Sequence, residues 1–427
     1  MVHRSLSCER LSAAGIAPGE VVVATSFVHP RLGPVRCDAA PLLAADLVAS
    51  ERPVRQGSVT VRDGSTDSDS LLLTVTYLDR EAEVHGLGIA VRQDDPNGLT
   101  SAERLVRSWI RAVRSRRMLV VDTAPLCAGG RRGLHMMMDA AGESSARLFV
   151  IGAPKAAPAD LATLASRGAV VTDDLSEVPA GSMVAFPAHG VPAAVRAEAA
   201  ERGMRVVDAT CPLVAQVQAD AARYAARGDD VVVIGRAEHA VVNSLLDEAT
   251  LVENDADVHA LNGTRTSFVV DPGMPAEDAA RLVATMREHV PTLSGHHFDA
   301  WCYASSNLIH TIRSVASASD VTLILGTDAD TDADCRKARD IAAETCADVR
   351  VVNALTDISA ASLARVQTVG LVPTLSARPG LVEELTDALS GLGPLSTVPR
   401  RLSGGTTVRE NAADDHQPDV HDPLLTV

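Results

Sequence analysis

The sequence predicts an α/β protein built of three like lobes about a pseudo-threefold axis, preceded by a small α+β domain. Three observations carry this reading. From about residue 117 the chain repeats itself loosely, with a period of roughly 85 to 95 residues. Short Val/Ile runs alternate with helical patterns, as parallel strands covered on both faces do. One cysteine recurs at the same place in each repeat: Cys127, Cys211 and Cys302.

Each repeat can be read in order. An apolar strand leads to the cysteine, as in Val120-Val121-Asp122 before Cys127 and Val206-Val207-Asp208 before Cys211. Cys302 has no comparably clear strand before it. A second strand ends on glycine: Leu148 to Gly152, Val231 to Gly235 and Leu323 to Gly326. A third follows at Val170-Val171, Leu251-Val252 and Val351-Val352, each trailed by an Asp before an apolar residue: Asp174-Leu175, Asp257-Val258 and Asp357-Ile358. A fourth closes the unit at Met183 to Phe186, Phe268 to Val270 and Val369 to Val372. Helices fill the intervals, for example one ending over Ala200 to Arg205 and one over Val214 to Arg227. The lobes therefore span residues 117–210, 211–300 and 301–396. Parallel sheets carry their sites on loops at the carboxyl ends of the strands. Three like loops on a shared axis give a physical reason for one cysteine per repeat.

Residues 1–116 do not follow the repeat. Val21 to Phe27 reads as a strand. Ser58 to Val61 and Leu71 to Tyr77 read as a strand pair across a Gly/Ser/Asp-rich turn, and Ala102 to Arg114 as an amphipathic helix. These form a separate α+β domain. Residues 397–427, rich in Gly, Asp, His and Pro, read as a disordered tail.

The 427 residues allow two to four domains. Aromatic residues are 2% of the chain, so Ala, Val and Leu must build the cores. A net charge of −16 argues against nucleic-acid binding, which needs clustered Lys and Arg. Met1 to Gly19 lacks the apolar core of a signal peptide, and no run is long enough to span a membrane. A cytoplasmic location follows as the expectation. In that reducing compartment seven cysteines are read as thiols or metal ligands. Thiolates suit zinc or iron–sulfur clusters, and three ligands to a four-iron cube leave one iron open. Cys8, Cys37, Cys335 and Cys346 lie outside the pattern and are read as ordinary thiols.

The local strings Leu126-Cys127-Ala128-Gly129, Ala188-His189-Gly190-Val191, Asp208-Ala209-Thr210-Cys211-Pro212-Leu213-Val214 and Cys302-Tyr303-Ala304-Ser305-Ser306-Asn307 resemble the IspH/LytB family. That family comprises the 4-hydroxy-3-methylbut-2-enyl diphosphate reductases of isoprenoid biosynthesis. The resemblance spans residues 117–396. It implies a trefoil of three α/β lobes around a central 4Fe–4S cluster, ligated here by Cys127, Cys211 and Cys302. It implies removal of an allylic hydroxyl from a diphosphate substrate by two electrons and two protons, the electrons coming from a ferredoxin- or flavodoxin-type donor. It also implies catalytic and substrate-binding roles for His189 and His239, and a substrate-binding role for Ser376 in Leu375-Ser376-Ala377.

Other positions depart from the family. Its first histidine falls near Ala156, and its Pro-Glu proton relay at Ala240-Val241. Its Thr-Gln-Thr-Thr stretch is Val270-Asp271-Pro272-Gly273. Its Ser-Ser-Asn anion loop is Asp328-Ala329-Asp330-Thr331-Asp332-Ala333-Asp334. The alternating Asp residues lack the glycine and closing Glu of a calcium loop. These departures point to an altered substrate. Two other readings stay open: a lyase or dehydratase that uses the open iron only as a Lewis acid, and a non-enzymatic iron–sulfur redox sensor.

Overall fold

The computed structural model describes residues 6–47, 53–62, 69–78, 83–143, 147–263 and 265–401. It divides into two compact units. One joins the N-terminal segment through Asp122 to Thr311–Arg400; the other is Thr123–His310.

The N-terminal segment contains strands β1 (Ser7–Ala14), β2 (Val21–His29) and β3 (Gly33–Arg36), helix α1 (Ala40–Ala45), strands β4 (Val54–Val61), β5 (Ser70–Leu78) and β6 (Val84–Arg92), and helix α2 (Pro96–Ala112). The strands close into a barrel in the order β1-β4-β2-β3-β6-β5. Successive side chains of a strand point to opposite faces. Val22, Ala24 and Phe27 of β2, with Leu72 and Ala90, fill one core; Val21, Val23, Leu73, Val75, Leu87 and Ile89 join a second core with α1 and α2. The first core is narrow. A Cβ on Gly86 would fall 2.5 Å from Val35 Cγ1. The strand pair expected from Ser58–Val61 and Leu71–Tyr77 is not formed. β4 pairs with β1 and β2, while β5 pairs with β1 and β6. The turn between them, at residues 63–68, lies outside the described residues.

Strand β7 (Arg116–Val121) leads to Cys127. Helix α3 (Ala128–Glu143), strand β8 (Leu148–Ile151), helix α4 (Pro158–Ser166), strands β9 (Val170–Thr172) and β10 (Met183–Phe186), helix α5 (Ala193–Glu201) and strand β11 (Arg205–Asp208) follow. The first lobe's sheet is parallel, in the order β11-β10-β8-β9. The second lobe runs through α6 (Pro212–Ala226), β12 (Asp230–Ile234), α7 (Ala240–Asn243), β13 (Thr250–Val252), α8 (Asp255–Ala260), β14 (Thr266–Val270), α9 (Ala276–His289) and β15 (Leu293–Gly295). Its sheet is also parallel, β13-β12-β14-β15. The recurring Asp of each repeat closes a turn. Asp174 Oδ1 accepts the Ser176 amide at 2.7 Å, and Asp257 Oδ2 accepts the amides of Glu253 and Asn254 at 2.8 and 3.1 Å.

Helix α10 (Ala304–Ser317) opens the third lobe, followed by β16 (Val321–Leu325), α11 (Ala333–Ala343), β17 (Val349–Val352), β18 (Thr368–Pro373), α12 (Leu381–Ser390) and β19 (Leu395–Arg400). Here Asp357 Oδ2 takes the amides of Asn353 and Ala354 at 2.8 and 2.9 Å, repeating the turn. The sheet order is β17-β16-β18-β7-β19, so β7 belongs to the third lobe's sheet and not to the first. The same rule holds for β11 and β15. β11 and β15 edge the sheets that precede Cys211 and Cys302, β7 lies inside the third lobe's sheet, and β15 is the strand before Cys302 that the sequence hides. Residues 397–400, placed in the tail by composition, finish β19 along β7. Residues 402–427 lie outside the described residues.

The expected boundary at residue 116 runs through a single core. Leu42, Leu43, Val106 and Trp109 pack in one cluster with Val321, Leu323, Leu325, Val369 and Leu371. Trp109 is fully buried, and its Nε1 donates to Asp46 Oδ2 at 2.7 Å; Asp46 Oδ1 accepts the Ala361 amide at 3.2 Å. Burial pushes the Asp46 carboxyl above its ordinary value, against the indole and amide that favour its charge. Arg116 is buried and donates to carbonyls from three segments: Ala112 at 2.6 Å, Leu363 at 3.0 Å and Leu392 at 3.1 Å. Burial pulls its pKa down to about 10. Deleting residues 1–115 strips this core of α1 and α2, so the remainder is expected to be insoluble or to lose its near-ultraviolet circular dichroism. Trp109→Ala in the full chain is expected to cost about 3–5 kcal/mol in denaturant unfolding. A soluble, native-like fragment would show the N-terminal segment to be an independent domain after all.

Candidate active site

Every singled-out site residue follows the carboxyl end of a parallel strand, where ligands bind in open α/β sheets. Cys127 follows β7, His189 follows β10, Cys211 follows β11, His239 follows β12, Cys302 follows β15 and Ser376 follows β18. Each cysteine also sits at or just before a helix N-terminus: Cys127 directly before α3, Cys211 at the N-cap of α6, Cys302 two residues before α10. Unpaired amides and the helix dipole there favour a thiolate.

Cys127 and Cys211 are brought together across the first turn of α3. A Cβ on Gly129 would lie 2.6 Å from Cys211 Sγ, so only glycine lets the two approach. One turn on, a Cβ on Gly133 would lie 2.9 Å from the Ala209 oxygen and 3.2 Å from Ala188 Cβ. The helix thereby reaches the loops that carry His189 and Cys211. The Gly130 amide donates to Cys127 Sγ at 3.4 Å, and the Cys211 amide donates to the Ala188 oxygen at 2.9 Å. Burial pushes the Cys211 thiol up. The amides of Val214 and Leu213 and the Arg132 charge oppose the rise, and the neighbouring Cys127 adds to it. A bound cation reverses that balance, because a coordinating thiol gives up its proton.

Cys302 is half-buried at the entrance to α10. Ser305 Oγ donates to the Gly273 oxygen at 2.9 Å, and Ser306 Oγ accepts the Ala276 amide at 2.9 Å while donating to Glu277 Oε2 at 2.8 Å. These bonds tie the cysteine's helix to the loop between β14 and α9. Among the described residues, no three His, Cys, Asp or Glu side chains converge tightly enough to cage a single ion. Three thiolates are a donor set that fits a four-iron cube, which takes each at a different iron.

His189 is held by its own loop. Its Nδ1 lies 2.9 Å from the Gly190 oxygen and its Nε2 3.3 Å from the Ala153 oxygen. A neutral ring can donate to only one of them. Gly152 (φ 86) and Gly190 (φ 74) take the left-handed conformation that this packing needs; a Cβ on Gly152 would lie 3.1 Å from His189 Cε1. His239 lies over Gly273, where a Cβ would meet Nδ1 at 3.0 Å. Its Nδ1 is 2.5 Å from Oδ2 of Asp271, a fully buried carboxylate whose Oδ1 accepts the Gly273 amide at 2.8 Å.

Ser376 belongs to the other unit. Its Oγ accepts the Thr327 amide at 3.2 Å and lies 3.1 Å from Thr374 Oγ1. Asp332 caps α11, its Oδ1 accepting the amides of Asp334 and Cys335 at 2.8 and 3.1 Å. Burial alone would raise the Asp332 carboxyl; Ser376 and the two amides outweigh it and hold it low. Asp328 Oδ1 accepts the Asp330 amide at 3.0 Å, and Arg336 donates to the carbonyls of Ala329 and Asp330 at 3.0 and 2.6 Å. The acidic loop is therefore a turn and a helix cap.

Residues 118–390 match the family model described as LytB protein. The chain belongs to the LytB family. It is 35% identical over 300 residues to the 4-hydroxy-3-methylbut-2-enyl diphosphate reductase 1 of Mycobacterium tuberculosis, covering 68% of this chain and 91% of that one. It is 34% identical over 253 residues to the corresponding reductase of Chromohalobacter salexigens, covering 57% and 78%. The structure of the Plasmodium falciparum E-1-hydroxy-2-methyl-but-2-enyl-4-diphosphate reductase shares the fold, with a TM-score of 0.58 at 19% identity over 69% of this chain and 95% of that one. A LytB-family member is thus an iron–sulfur oxidoreductase of isoprenoid biosynthesis by kinship, as the local strings implied. The barrel precedes the matched region. No helix among the described residues is long and apolar enough to cross a membrane.

Two features escape sequence reading. Asp271 is visible only as a departure from the family string, and its partner lies 32 positions away. The Ser306–Glu277–His310 chain, with His310 Nε2 3.0 Å from Glu277 Oε1, joins two helices whose pairing no local pattern announces. Burial would raise the Glu277 carboxyl, but Ser306 and His310 outweigh it and lower it from 4.5. A lowered carboxylate stabilises the fold above its unfolded pKa and loses that contribution as pH falls through the folded value. Ser306→Ala is therefore expected to destabilise by about 1–3 kcal/mol at neutral pH. In denaturant titrations across pH the gap to the parent should narrow below about 4.5, the unfolded value. A gap that widens in acid would rule out this account of Glu277.

Proposed function

We propose that this LytB-family reductase carries a 4Fe–4S cluster on Cys127, Cys211 and Cys302 and removes the hydroxyl of an allylic alcohol less anionic than a diphosphate. Bound there, the cluster supplies one-electron chemistry and one iron with an open coordination position. Electrons come from a ferredoxin- or flavodoxin-type donor. Two electrons and two protons convert the C–OH to C–H and release water. His189 and His239 hold the polar end of the substrate, and glycines 129 and 133 let α3 close on the thiols.

The observation that carries the altered substrate is Asp332. Amides at a helix N-terminus are a ready phosphate site, and here a carboxylate of the chain itself already occupies those of Asp334 and Cys335. Ser376 helps to hold the same carboxyl low. Two like charges about 4 Å apart near a protein surface repel by roughly 4 kcal/mol. A neutral or less charged group avoids that cost. Val241, at the family's proton-relay position, is buried and cannot pass a proton.

Two measurements test the reading. Iron and sulfide analysis after anaerobic purification should show the cluster abolished by Cys127→Ser, Cys211→Ser or Cys302→Ser. It should persist in serine variants of Cys8, Cys37, Cys335 and Cys346. A full complement of iron in Cys211→Ser would refute the ligand set.

Turnover of 4-hydroxy-3-methylbut-2-enyl diphosphate with a strong artificial reductant is expected to be at least about 10²-fold slower than that of the M. tuberculosis relative. Comparable rates would mean that the usual diphosphate is the substrate. Turnover of any alcohol without reductant would mean Lewis-acid elimination.

A further inference from the structure

We propose that Asp271 and His239 form a proton-delivery dyad, in which Asp271 is a positioning residue and His239 Nε2 the donating atom. The inference rests on the reading above that His239 lines the substrate site. It supplies what that reading lacks, a proton path where Val241 blocks the usual one.

The geometry runs as follows. Asp271 directly follows β14, with its carboxylate fully buried. Oδ1 is committed to the Gly273 amide at 2.8 Å, which leaves Oδ2 to face His239 Nδ1 at 2.5 Å. A carboxylate can only accept, so Nδ1 must carry its hydrogen. Nε2 is then the ring atom left for the substrate. The ring keeps this pose because Gly273 has no Cβ to displace it.

Other charges do not compete for the ring. Arg236 of the same loop lies 3.6 Å from Asp278, Glu253 at the end of β13 accepts the Ala237 amide at 2.7 Å, and Glu238 is exposed.

In the charged ring both nitrogens carry protons, and Asp271 balances the positive charge. Nε2 gives its proton to the oxygen of the departing hydroxyl. The C–O bond breaks, water leaves, and the ring returns to the neutral Nδ1–H form. The two electrons come from the one-electron donor protein, and the second proton, bound to carbon, comes from solvent.

Asp271→Asn is the discriminating variant. Its carbonyl oxygen would keep the Gly273 amide, so its NH₂ would face Nδ1. Nδ1 must then accept, and the neutral ring carries its hydrogen on Nε2. Giving up that proton would leave an imidazolate, so the ring stops donating.

The experiment uses the full-length, cluster-loaded protein labelled with ¹⁵N-histidine. His239 among the 13 histidines is assigned by loss of its signals in His239→Gln. The parent should show a protonated Nδ1 and an unprotonated Nε2, interchanged in Asp271→Asn. Asp271→Glu keeps a carboxylate and should keep the parent pattern, which separates charge from any folding defect. Under steady-state reduction Asp271→Asn should lose about 10²–10⁴-fold in kcat with little change in substrate affinity. An unchanged tautomer in Asp271→Asn overturns the dyad. Interchange with undiminished kcat overturns its role in proton delivery. The tautomer is read without substrate, so failure of the dyad appears in the spectra, while failure of the reductase reading appears in the parent's own assay.

Discussion

A parallel strand delivers the chain to the carboxyl edge of its sheet, and the helix that follows opens with amides that have no partner. The polar side chains of the candidate site are placed by that constraint. Cys127, Cys211 and Cys302 meet helix N-termini because each leaves a strand and enters a helix within a few residues. The strand before each cysteine is hydrogen-bonded into a different sheet from the strands that follow it, so the cysteine falls at the hand-off from one sheet to another. A helix that must come close at such a hand-off needs small residues, and Gly129 and Gly133 supply them on one face of α3.

The same unpaired amides explain the departure from the family's anion loop. At the start of α11 they can be satisfied by a ligand or by the chain. Here Asp332 satisfies them, and the capped helix no longer depends on an anion from outside. The Asp332 carboxyl is held below its ordinary value despite burial. In the second lobe a carboxylate also replaces a neutral residue, but to the opposite effect. Asp271 is buried against a histidine and sets what that histidine can donate.

The strand runs at 231–234, 323–325 and 369–372 were legible because both faces are buried and the sequence there has no polar side chain. The edge strands β15 and β19 were not. β15 has only Leu293 to bury, and β19 alternates so weakly that Leu395–Arg400 reads as tail. The barrel was half legible. Val21–Phe27 and Leu71–Tyr77 show themselves, but β1 inserts between β4 and β5, and no local pattern reveals a non-consecutive neighbour. In the site, the cysteines and His189 stand in strings that identify themselves. Asp271 and Glu277 matter through partners far off in sequence, and a sequence carries no mark of such pairs.

Residues 1–116 looked separable because they break the repeat, yet a break in repetition says nothing about where buried surface lies. The strands β16 and β18 bury Val321, Leu323, Leu325, Val369 and Leu371 in the cluster that holds Leu42, Leu43 and Trp109. At their carboxyl ends the same two strands carry Gly326 and Thr374. A Cβ on Gly326 would fall 2.1 Å from Cys335 Sγ, 2.6 Å from Thr374 Oγ1 and 2.8 Å from Ser376 Oγ. Packing this tight leaves the loop little freedom to adjust on its own. The N-terminal segment thus packs on the strands from which the acidic loop departs.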